Sequence, residues 1–158
     1  MSLNETQTRC CAAFREWLDT ALADDARFGP PQTEDRPDGS TLTTRRPVTD
    51  DLHLLVALRP MIPQVRVGIV TDDRWKSEEI EQAVQDSGDT MNEFLELGLA
   101  DAGLDWEEPP VEHYRDQGRW FSFVTPLEID TIEALDDPAF REKVLKVING
   151  YCLSYGKL

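Results

Sequence analysis

The chain has 158 residues, of which 40% are hydrophobic and 30% are charged, and its formal net charge is −15. This length suits one domain with a sizeable core, and this composition excludes a disordered chain. No apolar run approaches the roughly 18 residues of a membrane span, and the first residues lack the apolar core of an export signal. We therefore expect one domain, 1–158, in the cytoplasm.

The acidic excess is concentrated in one part of the chain. Residues 77–114 contain twelve acidic residues and no lysine or arginine. Nucleic acids and anionic membranes bind basic surfaces, so neither is an expected partner. The acidic segment has two interpretations: a solvated outer face, or a docking surface for a basic protein partner. A saline habitat would also explain the acidity.

The N-terminal part predicts a helix followed by a long loop. Apolar residues recur at helical spacing over residues 5–24, and Asn4 is placed to cap the helix. Residues 25–40 contain three prolines and few apolar residues, which predicts a loop.

The next segment predicts a three-stranded antiparallel meander. Leu52, Leu54, Val56 and Leu58 alternate with less apolar neighbours, and residues 65–70 repeat this pattern of period two. Residues 41–46 precede them as a more polar strand.

The second half predicts helix, hairpin and helix. The helix begins near Asp72 and Asp73, runs to residue 103, and is kinked or split at Ser87 and Gly88. Residues 104–110 are a predicted linker, and residues 111–125 are a hairpin with its tip at residues 116–118. Asp137 and Pro138 begin the last helix.

The predicted order is therefore α-β-β-β-α-β-β-α. Strands that arrive in hairpins favour an antiparallel sheet, a meander plus a hairpin, and the α+β class. We expect the helices to pack on one face, which leaves the other face to water or to a partner.

This order of elements, together with the size and the acidity, resembles the type III secretion chaperone-like fold and the YbjN-type family of small acidic bacterial proteins. The segment LDDPAFREKVLKVINGY resembles the start of the closing helix in such proteins. The resemblance covers residues 5–157 and implies a non-catalytic, polypeptide-binding protein, often a homodimer. It assigns no functional residue.

Searches for catalytic motifs return no nucleophile elbow, phosphate loop, dinucleotide fingerprint, zinc-protease motif or EF-hand. We predict no catalytic residue, no metal ligand and no cofactor. His53 and His113, one in each hairpin, could meet across the sheet and form a metal site with Cys10 or Cys152, although their spacing favours ordinary surface positions. The three cysteines are expected to be buried small hydrophobic residues.

Two features are candidates for contact with a partner. The strand GRWFSFVT is apolar on both faces, so one face enters the core and the other is either covered or exposed for contact. The predicted partner-binding residues are Trp120, Phe121, Phe123, Glu78, Glu81, Glu93 and Glu96. Our first hypothesis is a chaperone-like protein that binds polypeptides and is not an enzyme. The alternative is a small enzyme, or a ligand- or metal-binding domain, that uses His53 or His113 with a nearby carboxylate.

Overall fold

A computed structural model describes residues 2–158 as four helices and six strands. The helices are α1 (Glu5–Leu22), α2 (Arg74–Ser87), α3 (Met91–Asp101) and α4 (Pro138–Leu153). The strands are β1 (Gln32–Asp35), β2 (Leu42–Thr49), β3 (Leu52–Arg59), β4 (Gln64–Thr71), β5 (Glu112–Asp116) and β6 (Trp120–Glu128). Short 3-10 helices lie at Ile132–Asp136 and Tyr155–Lys157.

The strands form one antiparallel sheet in the order β1-β2-β3-β4-β6-β5. The predicted α+β class is confirmed. The hairpin of β5 and β6 joins the meander through β6, which pairs with β4 from Gln64 opposite Glu128 to Thr71 opposite Phe121.

One detail of the predicted order is wrong. The predicted loop 25–40 contains β1, whose four side chains are all exposed and therefore leave no apolar pattern in the sequence. The break predicted at Ser87 and Gly88 in the helical segment 72–103 is confirmed as a split into two helices, because Gly88 ends α2 with a φ of 83° and Thr90 caps α3. The observed order is α-β-β-β-β-α-α-β-β-α. Residues 104–110 contain no helix or strand.

The helices pack on one face of the sheet, as predicted. The core on that face contains apolar residues from all four helices and from the sheet, among them Phe14, Ile80, Leu99, Val147, Val56, Val67 and Phe123. The opposite, open face carries a small separate cluster from the strands alone: Leu55, Ala57, Val70, Trp120 and Val124. Among residues 2–158, no helix has both the length and the apolar character needed to cross a membrane.

Polar side chains fix the starts of the helices where the sequence predicts them. Asn4 Oδ1 accepts a hydrogen bond from the backbone N–H of Gln7 at 2.8 Å, and Gln7 Oε1 accepts one from the N–H of Asn4 at 2.9 Å. Asp73 and Asp137 each accept a hydrogen bond from the backbone N–H two residues later. These contacts satisfy N–H groups that have no partner within the helix.

Gly68 lies where two central strands approach closely. It lies between Leu55 on β3 and Val124 on β6 on the open face. A Cβ atom at this position would lie 2.1 Å from the carbonyl oxygen of Phe123, so β6 approaches β4 more closely than any side chain permits. Glycine is therefore the residue that this close backbone approach requires.

Candidate binding groove on the open face of the sheet

The open face forms a groove of about 480 Å³. Its floor contains Leu55, Ala57 and Val70 from the central strands β3 and β4. One wall comes from β1 and β2 and the other from β5 and β6, so the groove runs along the direction of the strands. Its volume lies within the range of typical small-ligand and peptide pockets.

Arg45 and Trp120 close one part of this groove. Cζ of Arg45 lies 4.3 Å from the centroid of the Trp120 ring, and Cζ of Arg119 lies 4.8 Å from it. His53 contacts the same indole edge-on at 5.4 Å between ring centroids. Trp120 is 5% exposed although no helix covers it, because these side chains shield it. Glu34 on the edge strand β1 lies 3.0 Å from Nη1 of Arg45.

Arg66 occupies the other wall. Its guanidinium reaches across β6 to the edge strand β5, where it lies 3.1 Å from Glu112 and donates a hydrogen bond to the hydroxyl of Tyr114 at 2.9 Å. It also donates to Oε1 of Gln64 at 3.2 Å. Arg45 and Arg66 are both 7% exposed, whereas the carboxylates that they contact, on Glu34 and Glu112, are about half-exposed. Each arginine therefore lies deeper in its wall than its acidic partner.

The predicted aromatic contact residues lie on opposite faces of β6. Trp120 lines the groove. Phe123 is fully buried in the main core, stacked on His113 with 3.9 Å between ring centroids. Phe121 is partly buried on the same side as Phe123, with Cζ of Arg115 5.2 Å from its ring. Of the three, Trp120 is the one placed to contact a molecule in the groove.

Each predicted acidic contact residue already has a partner within the chain. Glu78 accepts a hydrogen bond from Nε of Arg74 at 3.3 Å, and Glu81 lies 2.5 Å from Nε2 of His113. Glu93 accepts one from the backbone N–H of Thr90, and Glu96 accepts one from the backbone N–H of Glu108 at 2.6 Å. Because Glu81 contacts His113 beside Phe123, the acidic helix α2 lies on the helical side of the sheet, away from the groove.

The two histidines do not meet. His53 pairs with Val70 and faces the open side, whereas His113 pairs with Phe123 and faces the helices. Burial lowers the pKa of His53 below its ordinary value; the Asp72 carboxylate opposes this, and Arg45 adds to it. Neither histidine lines the groove. Residues 2–158 contain no group of three or more His, Cys, Asp and Glu side chains that could hold a metal ion.

The cysteines are free thiols; Cys10 and Cys11 are buried as expected, whereas Cys152 is only partly buried, contrary to the prediction. Burial raises the pKa of Cys11 to about 11, with a smaller opposing effect of Arg15. Burial also raises the pKa of Cys10 and of Cys152. These thiols therefore lack the low pKa of a reactive cysteine.

The arginines of the groove are the residues that the sequence analysis did not identify. Arg59 and Arg66 alternate in their strands with apolar residues of the main core, namely Leu58, Val65 and Val67, whereas Arg45 lies between Thr44 and Arg46. For Arg59 and Arg66, that alternation is the signal that could have placed them on the open face.

No protein-family model, no curated protein and no solved structure matches this chain.

Proposed function

We propose that this protein binds an extended segment of another polypeptide in the groove and carries out no chemistry of its own. The observation that carries this proposal is the groove itself, which is open to solvent, runs between the two edge strands and has an apolar floor. We extend this proposal to a chaperone-like role in the cytoplasm and to a homodimer, in keeping with the resemblance in element order.

The shape of the groove supports an extended ligand. Leu55, Ala57 and Arg59 line it along β3, a span of about 13 Å, which corresponds to roughly four residues of extended chain. Small floor residues such as Ala57 leave room for side chains that point down from the bound segment.

The polar side chains in the walls favour binding of particular peptides over nonspecific binding of any apolar segment. Arg36, Arg59 and Tyr114 line the groove beside the apolar floor, which is the arrangement of sites that combine burial with a few oriented polar groups. The alternative, an enzyme that uses His53 or His113, has less support because neither histidine lines the groove.

Selection from a library of random decapeptides displayed on phage tests the proposal. Wild-type protein is expected to select binding peptides. Their binding is expected to quench or shift the Trp fluorescence of wild type, and this change is expected to be absent in the Trp120→Phe variant. Ala57→Leu, which fills the floor, is expected to weaken binding of the selected peptides at least about tenfold. Ala13→Leu, on the exposed side of α1, is the matched control.

Peptides that bind Ala57→Leu as well as wild type would show that the groove is not the site. A failure to select any peptide, with Ala57→Leu and wild type equally folded by circular dichroism, would overturn the polypeptide-binding function. A small dicarboxylate that stabilises wild type but not Ala57→Leu would then indicate a small-molecule site instead.

A further inference from the structure

Two arginines form a row across one end of the groove. The backbone N–H of Arg36 donates to the carbonyl of Thr41 at 3.0 Å, and Thr41 precedes β2 opposite the end of β3. Arg36 directly follows β1, Thr41 directly precedes β2 and Arg59 ends β3, so the three residues lie side by side at the ends of neighbouring strands, and all three line the groove. Neighbouring strands are about 4.8 Å apart, which places the Cα atoms of the two arginines about 10 Å apart. Their long side chains can converge on one carboxylate.

These two arginines carry charge that the chain itself does not neutralise. Within residues 2–158, neither Arg36 nor Arg59 forms an ion pair. The side-chain hydrogen bond of Arg59 is a long one, 3.5 Å to Oε1 of Gln64. Arg45 and Arg66, in contrast, each contact a glutamate. The positive charge available to a ligand is therefore at this end.

The wall next to the row contains a guanidinium with an unused hydrogen-bond donor. Nε of Arg45 is buried and has no hydrogen-bond partner within residues 2–158. Its positive charge is shared between Glu34, which is half-exposed at 51%, and the indole of Trp120. A guanidinium that is only partly satisfied in a site shielded from water favours an anion nearby.

From this geometry we propose that the groove selects an acidic segment, with Arg36 and Arg59 binding one carboxylate of an Asp or Glu side chain. This inference rests on the polypeptide-binding function proposed above. An extended segment points alternate side chains to the same face. A carboxylate at the Arg36–Arg59 row therefore places the second residue beyond it over Ala57 and the fourth over Leu55. The preferred pattern is acidic-x-apolar-x-apolar, read in either chain direction, with a small residue over Ala57.

The overall charge of −15 sets a limit on this preference. Four arginines and four acidic residues line the groove, so its own formal charge is zero and the excess lies elsewhere, chiefly in residues 77–114. At physiological ionic strength charges are screened over about 8 Å, so contact with the two arginines outweighs repulsion from the helical side. A long polyacidic tract would meet that repulsion, which favours a segment with one or two carboxylates.

The same decapeptide selection, repeated on two variants, tests this inference. On wild type, Asp and Glu are expected to be enriched about fivefold at one position of the selected peptides. The enrichment is expected to disappear on the double variant Arg36→Gln/Arg59→Gln and to persist on the double variant Arg9→Gln/Arg74→Gln. This control removes two charges from exposed positions in helices on the other side of the sheet.

A synthetic peptide from the wild-type selection then gives a double-mutant cycle. The peptide and its glutamine variant are each measured with wild type and with Arg36→Gln/Arg59→Gln, which gives four affinities. Replacing its acidic residue by glutamine is expected to weaken binding to wild type about tenfold and to leave binding to the Arg36→Gln/Arg59→Gln variant unchanged. Peptides selected without acidic enrichment would overturn this inference and leave the polypeptide-binding function standing. Selection of no peptide at all would overturn the function itself. Enrichment that survives in the Arg36→Gln/Arg59→Gln variant would place the carboxylate elsewhere in the groove.

Discussion

The guanidinium of Arg45 lies over the indole of Trp120, with Cζ 4.3 Å from the ring centroid. The two residues come from β2 and β6, which are separated in the sheet by β3 and β4. The contact therefore spans the central strands on the open face and joins the two walls of the groove.

Replacing Arg45 by alanine is expected to destabilise the protein by about 2 kcal/mol, because a shielded cation–π contact and the packing of the side-chain stem are both lost. Urea unfolding measures the loss, and Trp emission is expected to shift to longer wavelength as Trp120 becomes hydrated. Arg119→Ala removes the more exposed of the two cations and should cost less than half as much. An equal loss of stability in Arg45→Ala and Arg119→Ala would contradict the larger contribution expected from Arg45.

Gly68 is expected to tolerate no side chain. In Gly68→Ala the new Cβ would meet the backbone of β6 at the carbonyl of Phe123, and backbone atoms cannot move aside as a flexible side chain does. We expect a loss of about 3 kcal/mol in the free energy of unfolding. Gly118→Asn is the comparison, because Gly118 has a φ of 67° but open space around it, and asparagine tolerates this conformation. A Gly68→Ala protein as stable as wild type would show that β4 and β6 are less closely apposed.

Particular residues show how far the sequence determines this architecture. The alternation in 52–70 and the caps at Asn4, Asp73 and Asp137 each depend on local chemistry, and each is found in the structure. Strand β1 depends on backbone pairing with β2 and has no buried side chain, so no pattern in its four residues marks it. The groove depends on which strands become neighbours, because its walls come from β1, β2, β5 and β6, and periodicity does not encode that long-range pairing.

Arg46 and Asp19 form an ion pair in which the two partners differ in burial. The Arg46 side chain is 3% exposed beneath α1, whereas Asp19 is half-exposed at 54%. Burial lowers the pKa of Arg46, and the Asp19 carboxylate opposes that shift. Asp19→Ala leaves a buried guanidinium without its counter-charge and is expected to cost about 2 kcal/mol in denaturant unfolding. Arg46→Met removes the buried charge and keeps apolar volume, so it should cost less than Asp19→Ala, and the opposite ranking would contradict this account.

The buried thiols predict slow chemical labelling of the native protein. With a pKa of about 11, roughly one Cys11 thiol in a thousand is ionised at pH 8, and its side chain is also inaccessible. Reaction with a disulfide reagent at pH 8 is expected to label Cys10 and Cys11 only as the chain unfolds, at a rate that rises with urea. Cys152 is partly exposed and should react first. Rapid labelling of all three thiols in the native protein would show that α1 is loosely packed.

His53 predicts how stability changes in mildly acidic solution. Its pKa is lowered in the folded protein, mainly by burial, so the unfolded chain binds a proton more readily. Stability from the neutral ring is therefore fully present above the ordinary histidine value of about 6.5 and is lost as the pH falls through the lower folded pKa. Urea midpoints measured from pH 8 to pH 5 are expected to fall less steeply in His53→Phe, which keeps an aromatic ring beside Trp120. Parallel curves for the two proteins would show that protonation of His53 does not oppose folding.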